Sequence, residues 1–324
     1  MKVSHYNPQT HIGEQPVRVL KWNVAAQFEN TYPGFAQELF AVLSKHGLKP
    51  QIKYDYSADS IVRPGNPDGD LLPFVDKDKY ITIQETFLSF LWTMCYSHIV
   101  LFDEEVNKPA LNRLHGGHHT VDVEAARLAR ELFSYGMTLI HAYRPWDKSA
   151  LPNPEAYSAE EAPYVGKASA VYMFAVNVIL CHELAHIDLG HCDSSGRYVS
   201  TFDSILDEIA ADSDAVRRML RGASDEKTKF NYGAGMLLAF TSLLLLKNTS
   251  QNRRHPDSDD RIERVLRGLD LDDISPLWGI ASLSFRLWDN FYGVRLKWPK
   301  EIKTFKDLFY LILAEVRAAK RSTP

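Results

Sequence analysis

Cysteine is scarce. Three residues in 324, Cys95, Cys181 and Cys192, are too few and odd in number for the paired framework of a small secreted domain, so a reducing compartment is expected. An excess of either charge is lacking too: 37 Lys and Arg against 41 Asp and Glu leave −4 at pH 7, which gives no net pull toward nucleic acid or an anionic membrane. Long hydrophobic runs are missing. The most apolar stretch, Gly233 to Leu246, contains Thr241 and Ser242 and falls short of the roughly 18 to 20 residues needed to cross a bilayer, so it reads as a buried helix. Met1 to Asn7 has no basic segment followed by an apolar one, hence no visible secretory signal and an expected cytoplasmic location. Glycine, at 17, and proline, at 16, are too few for a collagen-like or low-complexity chain, and no internal repeat is evident. What remains is ordinary globular usage, with enough apolar residues for a sizeable core.

Near the start, Val17 to Val24 and Ile52 to Tyr56 are rich in β-branched and aromatic residues and read as short strands. Between them Phe35, Leu39, Val42 and Leu43 recur at helical spacing, opened by Pro33 and closed by Gly47. Pro64 to Asp70 reads as a loop. From about Thr86 onward the pattern is helical, with expected helices at 86–102, 122–142, 168–189, 203–221, 231–247, 257–268, 276–290 and 304–320. The expectation is a mainly α (α+β) protein, with a small α/β portion over 1–80 and a helical domain over 81–324.

His182, Glu183, Leu184, Ala185 and His186 spell H-E-x-x-H inside a strongly helical run. Residues four apart on a helix lie about 40° from each other, so both imidazoles leave one face and reach a single ion, with Glu183 beside them. Two neutral imidazoles leave room on zinc for a third protein ligand and a water, whose proton a neighbouring carboxylate can take. The competing reading is a buried helix with two satisfied histidines. Against it, an apolar run that suddenly meets three ionisable groups in five positions needs a reason.

A third ligand is expected from a neighbouring helix, and the next one carries Glu208-Ile209-Ala210-Ala211-Asp212. Glu208 and Asp212 again stand at i and i+4. Glu208 could complete the coordination while Asp212 accepts a hydrogen bond from the free nitrogen of a ligating imidazole, and the small Ala211 permits close helix approach. With Asp203, Asp207 and Asp214 nearby, an acidic solvated face is the other reading.

Together these segments resemble the gluzincin metallopeptidases, in which H-E-x-x-H is followed by E-x-x-A-D on a second helix. His182, Glu183 and His186 fall on the first motif, and Glu208, Ala211 and Asp212 on the second. His255-Pro256 with Arg261-Ile262 looks like the H-P-x-x-x-x-R-I element of one gluzincin branch. The stretch His182 to His191 is most similar to the phage-exclusion (Lit-type) peptidase family, which implies a cytoplasmic protein that cleaves a host protein during infection. The motifs span Val178 to Ile262, and residues 1–165 carry nothing specific. The membrane-embedded gluzincin branch is disfavoured by the missing spanning segments.

His191 lies five residues beyond His186 and could compete with Glu208 as third ligand. The metzincin pattern requires Gly three and His six residues after the second His, whereas Gly190 and His191 occupy positions four and five. Gly190 instead resembles a helix C-cap, with His191 just past the end as a loop or outer group. Cys181 and Cys192 raise a structural zinc site of mixed ligands, but Cys181 is about 100° round the helix from His182 and should face away. His115, His118 and His119, separated by Gly116 and Gly117, could bind metal but carry no helix or acidic partner in register, and an exposed loop is the favoured reading. His255 precedes Pro256 at a helix start with Asp257, Asp259 and Asp260 in its first turn, which is an ordinary cap or a place from which to donate a hydrogen bond to an oxyanion. The family resemblance favours the second, and Arg261 would position substrate or a carboxylate.

The expectation is a zinc metallopeptidase holding one Zn2+ through His182, His186 and Glu208, with Asp212 behind them, Glu183 as base then acid, and His255 as oxyanion donor. Its partner would be a protein substrate, with neither nucleic acid nor membrane. A catalytically silent scaffold that binds a protein or a signal is the competing class, and an intact Glu183 favours the enzyme.

Overall fold

The computed structural model describes residues 2–62, 74–75, 79–191, 204–251 and 255–321. Its elements begin with β1 (Val3–Ser4), α1 (Lys21–Glu29), α2 (Phe35–His46), β2 (Lys53–Asp55), β3 (Phe74–Val75), β4 (Ile81–Gln84), α3 (Glu85–Leu101), α4 (Lys108–His115), α5 (Val123–Thr138) and β5 (Ala156–Tyr157). There follow α6 (Ala162–Asp188), α7 (Ser204–Arg221), α8 (Glu226–Leu244), α9 (Ser258–Gly268), α10 (Pro276–Tyr292) and α11 (Phe305–Arg321). The protein is mainly helical. Its strands form two small sheets: β4 lies between parallel β2 and antiparallel β3, and β1 pairs antiparallel with β5. The loop read at Pro64 to Asp70 lies outside the described residues, as do Cys192 and Asp203.

The segment Val17 to Val24 is not a strand. Pro16–Leu20 forms a 3-10 turn that runs into α1, and Val17, Val24 and Phe28 are all buried. Those three repeat at intervals of seven and four, the spacing of one helical stripe, while Pro16 presets the backbone of the first turn. Burial on that stripe outweighs the strand preference of the valines. The helix read over 86–102 also has a sequel. Phe102–Asn107 is a π-helical segment joining α3 to α4, and the wider turn is stitched by the fully buried Glu104. That carboxylate accepts from Lys108 Nζ at 2.6 Å, from the Asp122 backbone N at 2.8 Å and from the Tyr164 hydroxyl.

Helix α6 occupies the centre of the fold. It starts six residues before the expected position 168, with Pro163 in its first turn, and packs against α8, α7, α3 and α1. Surrounded on several sides, it has no polar face to present to water, which is why its sequence is apolar nearly all round. This corrects the expectation about membrane-length segments, because α6 is long and apolar enough to cross a bilayer by length and composition. Most of it is instead buried by neighbouring helices, as befits a core helix. The packing is close: a Cβ placed on Gly235 of α8 would stand 2.4 Å from Phe174 Cβ and 2.8 Å from its carbonyl carbon. One hydrophobic cluster runs from Val17 to Val316 through all these helices.

At the C-terminal end of α6, Arg218 of α7 donates to Asp188 at 2.8 Å, to Glu38 of α2 at 2.6 Å and to Asp214. Three carboxylates on three helices meet one nearly buried guanidinium. The last turns of α6 are thereby pinned against α7, and the H-E-x-x-H segment sits in those turns.

Candidate metal centre

His182 and His186 leave the same face of α6, and their Nε2 atoms approach to 3.0 Å. Glu208, from α7, brings Oε2 to 3.3 Å from His182 Nε2 and Oε1 to 3.3 Å from His186 Nε2. Among the described residues these three form a group whose donor atoms all lie within 4.8 Å of one another. A tetrahedral ion with ligands at roughly 2.0–2.1 Å needs donor atoms about 3.3 Å apart, so the observed separations match one shared first-row ion. The donor set of two imidazoles and a carboxylate, without thiolate, suits a divalent first-row metal and leaves a coordination position open.

Two of the three donors are held from behind. His182 Nδ1 lies 2.9 Å from Asp212 Oδ1, and Asp212 in turn receives Arg261 of α9 through both oxygens, at 2.8 and 2.5 Å. Arg261 also lies over the Phe240 ring, 4.7 Å from its centroid. His255 places Nδ1 2.9 Å from Glu208 Oε2, and its side chain is partly exposed where that of Glu208 is not. The acidic-face reading of α7 fails on burial, since Glu208 is 3%, Asp212 7% and Asp214 6% exposed. Carboxylates withdrawn from water to this degree require cationic partners, and Arg218, Arg261 and the histidines supply them.

The charges are mutually adjusted. Burial alone would raise the Glu208 carboxyl, but His182, His186 and His255 around it hold it far below the usual carboxylate range. Burial would likewise lower His182, yet Asp212 and Glu208 carry it up to about 10. His186 is lowered, chiefly by burial, with Glu208 opposing. Burial would raise Asp212, but Arg261 and His182 pull it down. Glu183 goes the other way: burial pushes it up to about 8, helped by the Glu208 charge and opposed by His182 and Arg261. A cluster that draws positive charge to His182 and Glu208 is one that favours a cation at their convergence.

The sequence-predicted residues His182, Glu183, His186, Glu208, Asp212 and His255 are therefore gathered at one place. Cys181 is fully buried beside Asn177, one turn back on α6, away from the centre. His118 and His119 are exposed in the loop after α4. Residues 81–281, from β4 into α10, match the family described as Peptidase U49. The chain belongs to that family. This Peptidase U49 member is accordingly a peptidase, and the whole centre lies within the matched span. No curated protein and no solved structure matches the chain.

Three partnerships in this Peptidase U49 chain escaped the sequence, the first being His255 with Glu208. Arg261 was expected to meet substrate or a carboxylate, and Asp212 is that carboxylate. His191 and Asp207, one read as a loop or outer group and the other as part of an acidic face, stand beside His186. Gly190 was the available signal, because a C-cap glycine turns the following residue back on its own helix.

Proposed function

We propose that this peptidase is a zinc-dependent endopeptidase of the cytoplasm, hydrolysing a protein of the cell in phage exclusion or a related defence. The observation that carries the zinc reading is the 3.0–3.3 Å triangle of His182, His186 and Glu208 donor atoms. Scarce cysteine and the similarity of His182 to His191 to the phage-exclusion family support the compartment and the role. Zinc, when bound, supplies Lewis-acid polarisation of the scissile carbonyl and acidifies water toward a pKa of about 7. Glu183 removes a proton from the attacking water, the water oxygen bonds to the carbonyl carbon, and Glu183 returns that proton to the amine as the C–N bond breaks. His255, kept in place by Glu208, donates to the oxyanion in between. Asp212 and Arg261 hold His182 throughout.

The test uses the full chain, Glu183→Gln and Glu208→Ala. Gln is nearly isosteric with Glu but cannot take the proton, so Glu183→Gln is expected to retain one zinc per chain and to lose hydrolysis by about 100-fold to 10,000-fold. Glu208→Ala is expected to lose zinc. Cells expressing the active chain should accumulate fragments of a particular protein and resist phage, and cells expressing Glu183→Gln should do neither. Equal protection by both forms, with the target protein intact in each, would replace the peptidase function with that of a binding scaffold.

A further inference from the structure

Four ring nitrogens belong to the two ligating histidines, and three are already placed: both Nε2 atoms face each other and Glu208, and His182 Nδ1 faces Asp212. The fourth, Nδ1 of His186, lies 3.0 Å from Nδ1 of His191, and His191 Nε2 lies 3.5 Å from Asp207 Oδ1. Resting on the metal-centre reading above, we infer that His191 and Asp207 are positioning residues that orient His186 as Asp212 and Arg261 orient His182.

The tautomers follow from the geometry. Two facing Nδ1 atoms 3.0 Å apart need one proton between them, since two protons would collide and none would leave two lone pairs opposed. A neutral His186 that ligates through Nε2 must carry its proton on Nδ1, so His186 donates and His191 accepts. The proton of His191 then sits on Nε2, the nitrogen turned toward Asp207. Metal-bound histidines commonly give their second N–H to a carboxylate or carbonyl, and here a second imidazole stands between ligand and carboxylate.

The backbone that allows this is specific. On a continued helix, residue 191 would lie about 140° round the axis from His186 and point away from it. Instead Gly190 adopts φ +76°, its N–H donates to the Ile187 carbonyl at 3.1 Å, and the His191 N–H donates to the His186 carbonyl at 2.9 Å. This doubly bonded helix end folds His191 back over His186, with ring centroids 5.2 Å apart. The same residue thus caps the backbone of His186 and receives its side chain. On α7, Glu208 falls between Asp207, about 100° to one side, and Asp212, about 40° to the other, so one helix presents the third ligand and both outer carboxylates.

The test measures zinc affinity of the full chain by chelator competition, together with the visible absorption of the cobalt-substituted protein. His191→Ala is expected to weaken zinc by about 10-fold to 100-fold and to shift the cobalt bands. His191→Asn, whose Oδ1 takes the place of the Nδ1 acceptor, should restore most of the affinity and the native bands. Asp207→Asn should cost a smaller, few-fold loss, because its charge acts through His191. Wild-type affinity and bands in His191→Ala would overturn the inference, as would His191→Asn behaving like His191→Ala, which would make the ring mere filling. Complete loss of zinc in His191→Ala alongside full retention in Glu208→Ala would make His191 a ligand and also overturn it. His182→Ala serves as the separate control: unchanged zinc affinity there would sink the metal-centre reading itself and the inference with it.

Discussion

Asp212 serves two neighbours at once, accepting both arms of Arg261 and facing His182 Nδ1. Substitution by Asn keeps the shape and removes the charge. Asp212→Asn is expected to weaken zinc by about 10-fold to 100-fold, since the imidazole loses the anion that orients it. It should also destabilise the fold by about 3 kcal/mol, because Arg261 is left nearly buried without its counter-charge. Chelator titration reads the first effect and urea unfolding the second; wild-type values in both would reduce Asp212 to a bystander. At this scale the sequence was informative where partners lie on the same helix. The i, i+4 spacing of His182 with His186, and of Glu208 with Asp212, is a property of helix geometry alone. The partnership of Arg261 with Asp212 spans 49 residues, and no local spacing encodes it.

Helices α6 and α8 approach so closely at Gly235 that only a hydrogen fits against the Phe174 backbone. Gly235→Ala offsets a gain in helix propensity with a clash in a packed core, and a net loss of about 1–3 kcal/mol is expected. The check is the urea midpoint; an unchanged or higher midpoint would show that α8 can shift at no cost. Because α6 carries two of the three proposed ligands, any shift should appear as weaker zinc binding as well. Elements were legible where periodicity was long, as in α5, α7, α9 and α11. The first turn of α6 is partly exposed and carries Pro163 and Gly166, residue types that mark loops, so the pattern places the start six residues late. At Val17 to Val24 the β-branched residues pointed to a strand, and only their common burial against the core made them helical.

His98 shows how the whole molecule responds to acid. It is fully buried, its Nδ1 donates to the Met94 carbonyl at 2.7 Å, and burial lowers its pKa to about 4. Above 6.5 the ring is neutral in both folded and unfolded chains. As pH falls below 6.5 the unfolded chain takes a proton that the folded chain refuses until about 4, so stability drains across that window. The loss is about 2 kcal/mol by pH 5 and approaches about 3 kcal/mol near pH 4. Urea unfolding at pH 7 and pH 5 should therefore show a larger fall for the native chain than for His98→Phe. Equal falls would place the acid sensitivity in other groups.

The sequence by itself determined the helical class, the i, i+4 pairs on α6 and α7, and the peptidase family, because each rests on short motifs whose own residues lie within a few turns of one element. Tertiary structure decided what stands behind those ligands. Arg261 reached Asp212, His255 reached Glu208, and Gly190 folded His191 onto His186 beside Asp207. Except for His191 on His186, a local helix end made by Gly190, these are contacts between elements, set by how α6, α7 and α9 pack, and packing depends on the shape and burial of every helix together. That is also why one stretch of valines became a helix and one membrane-length apolar helix became the core.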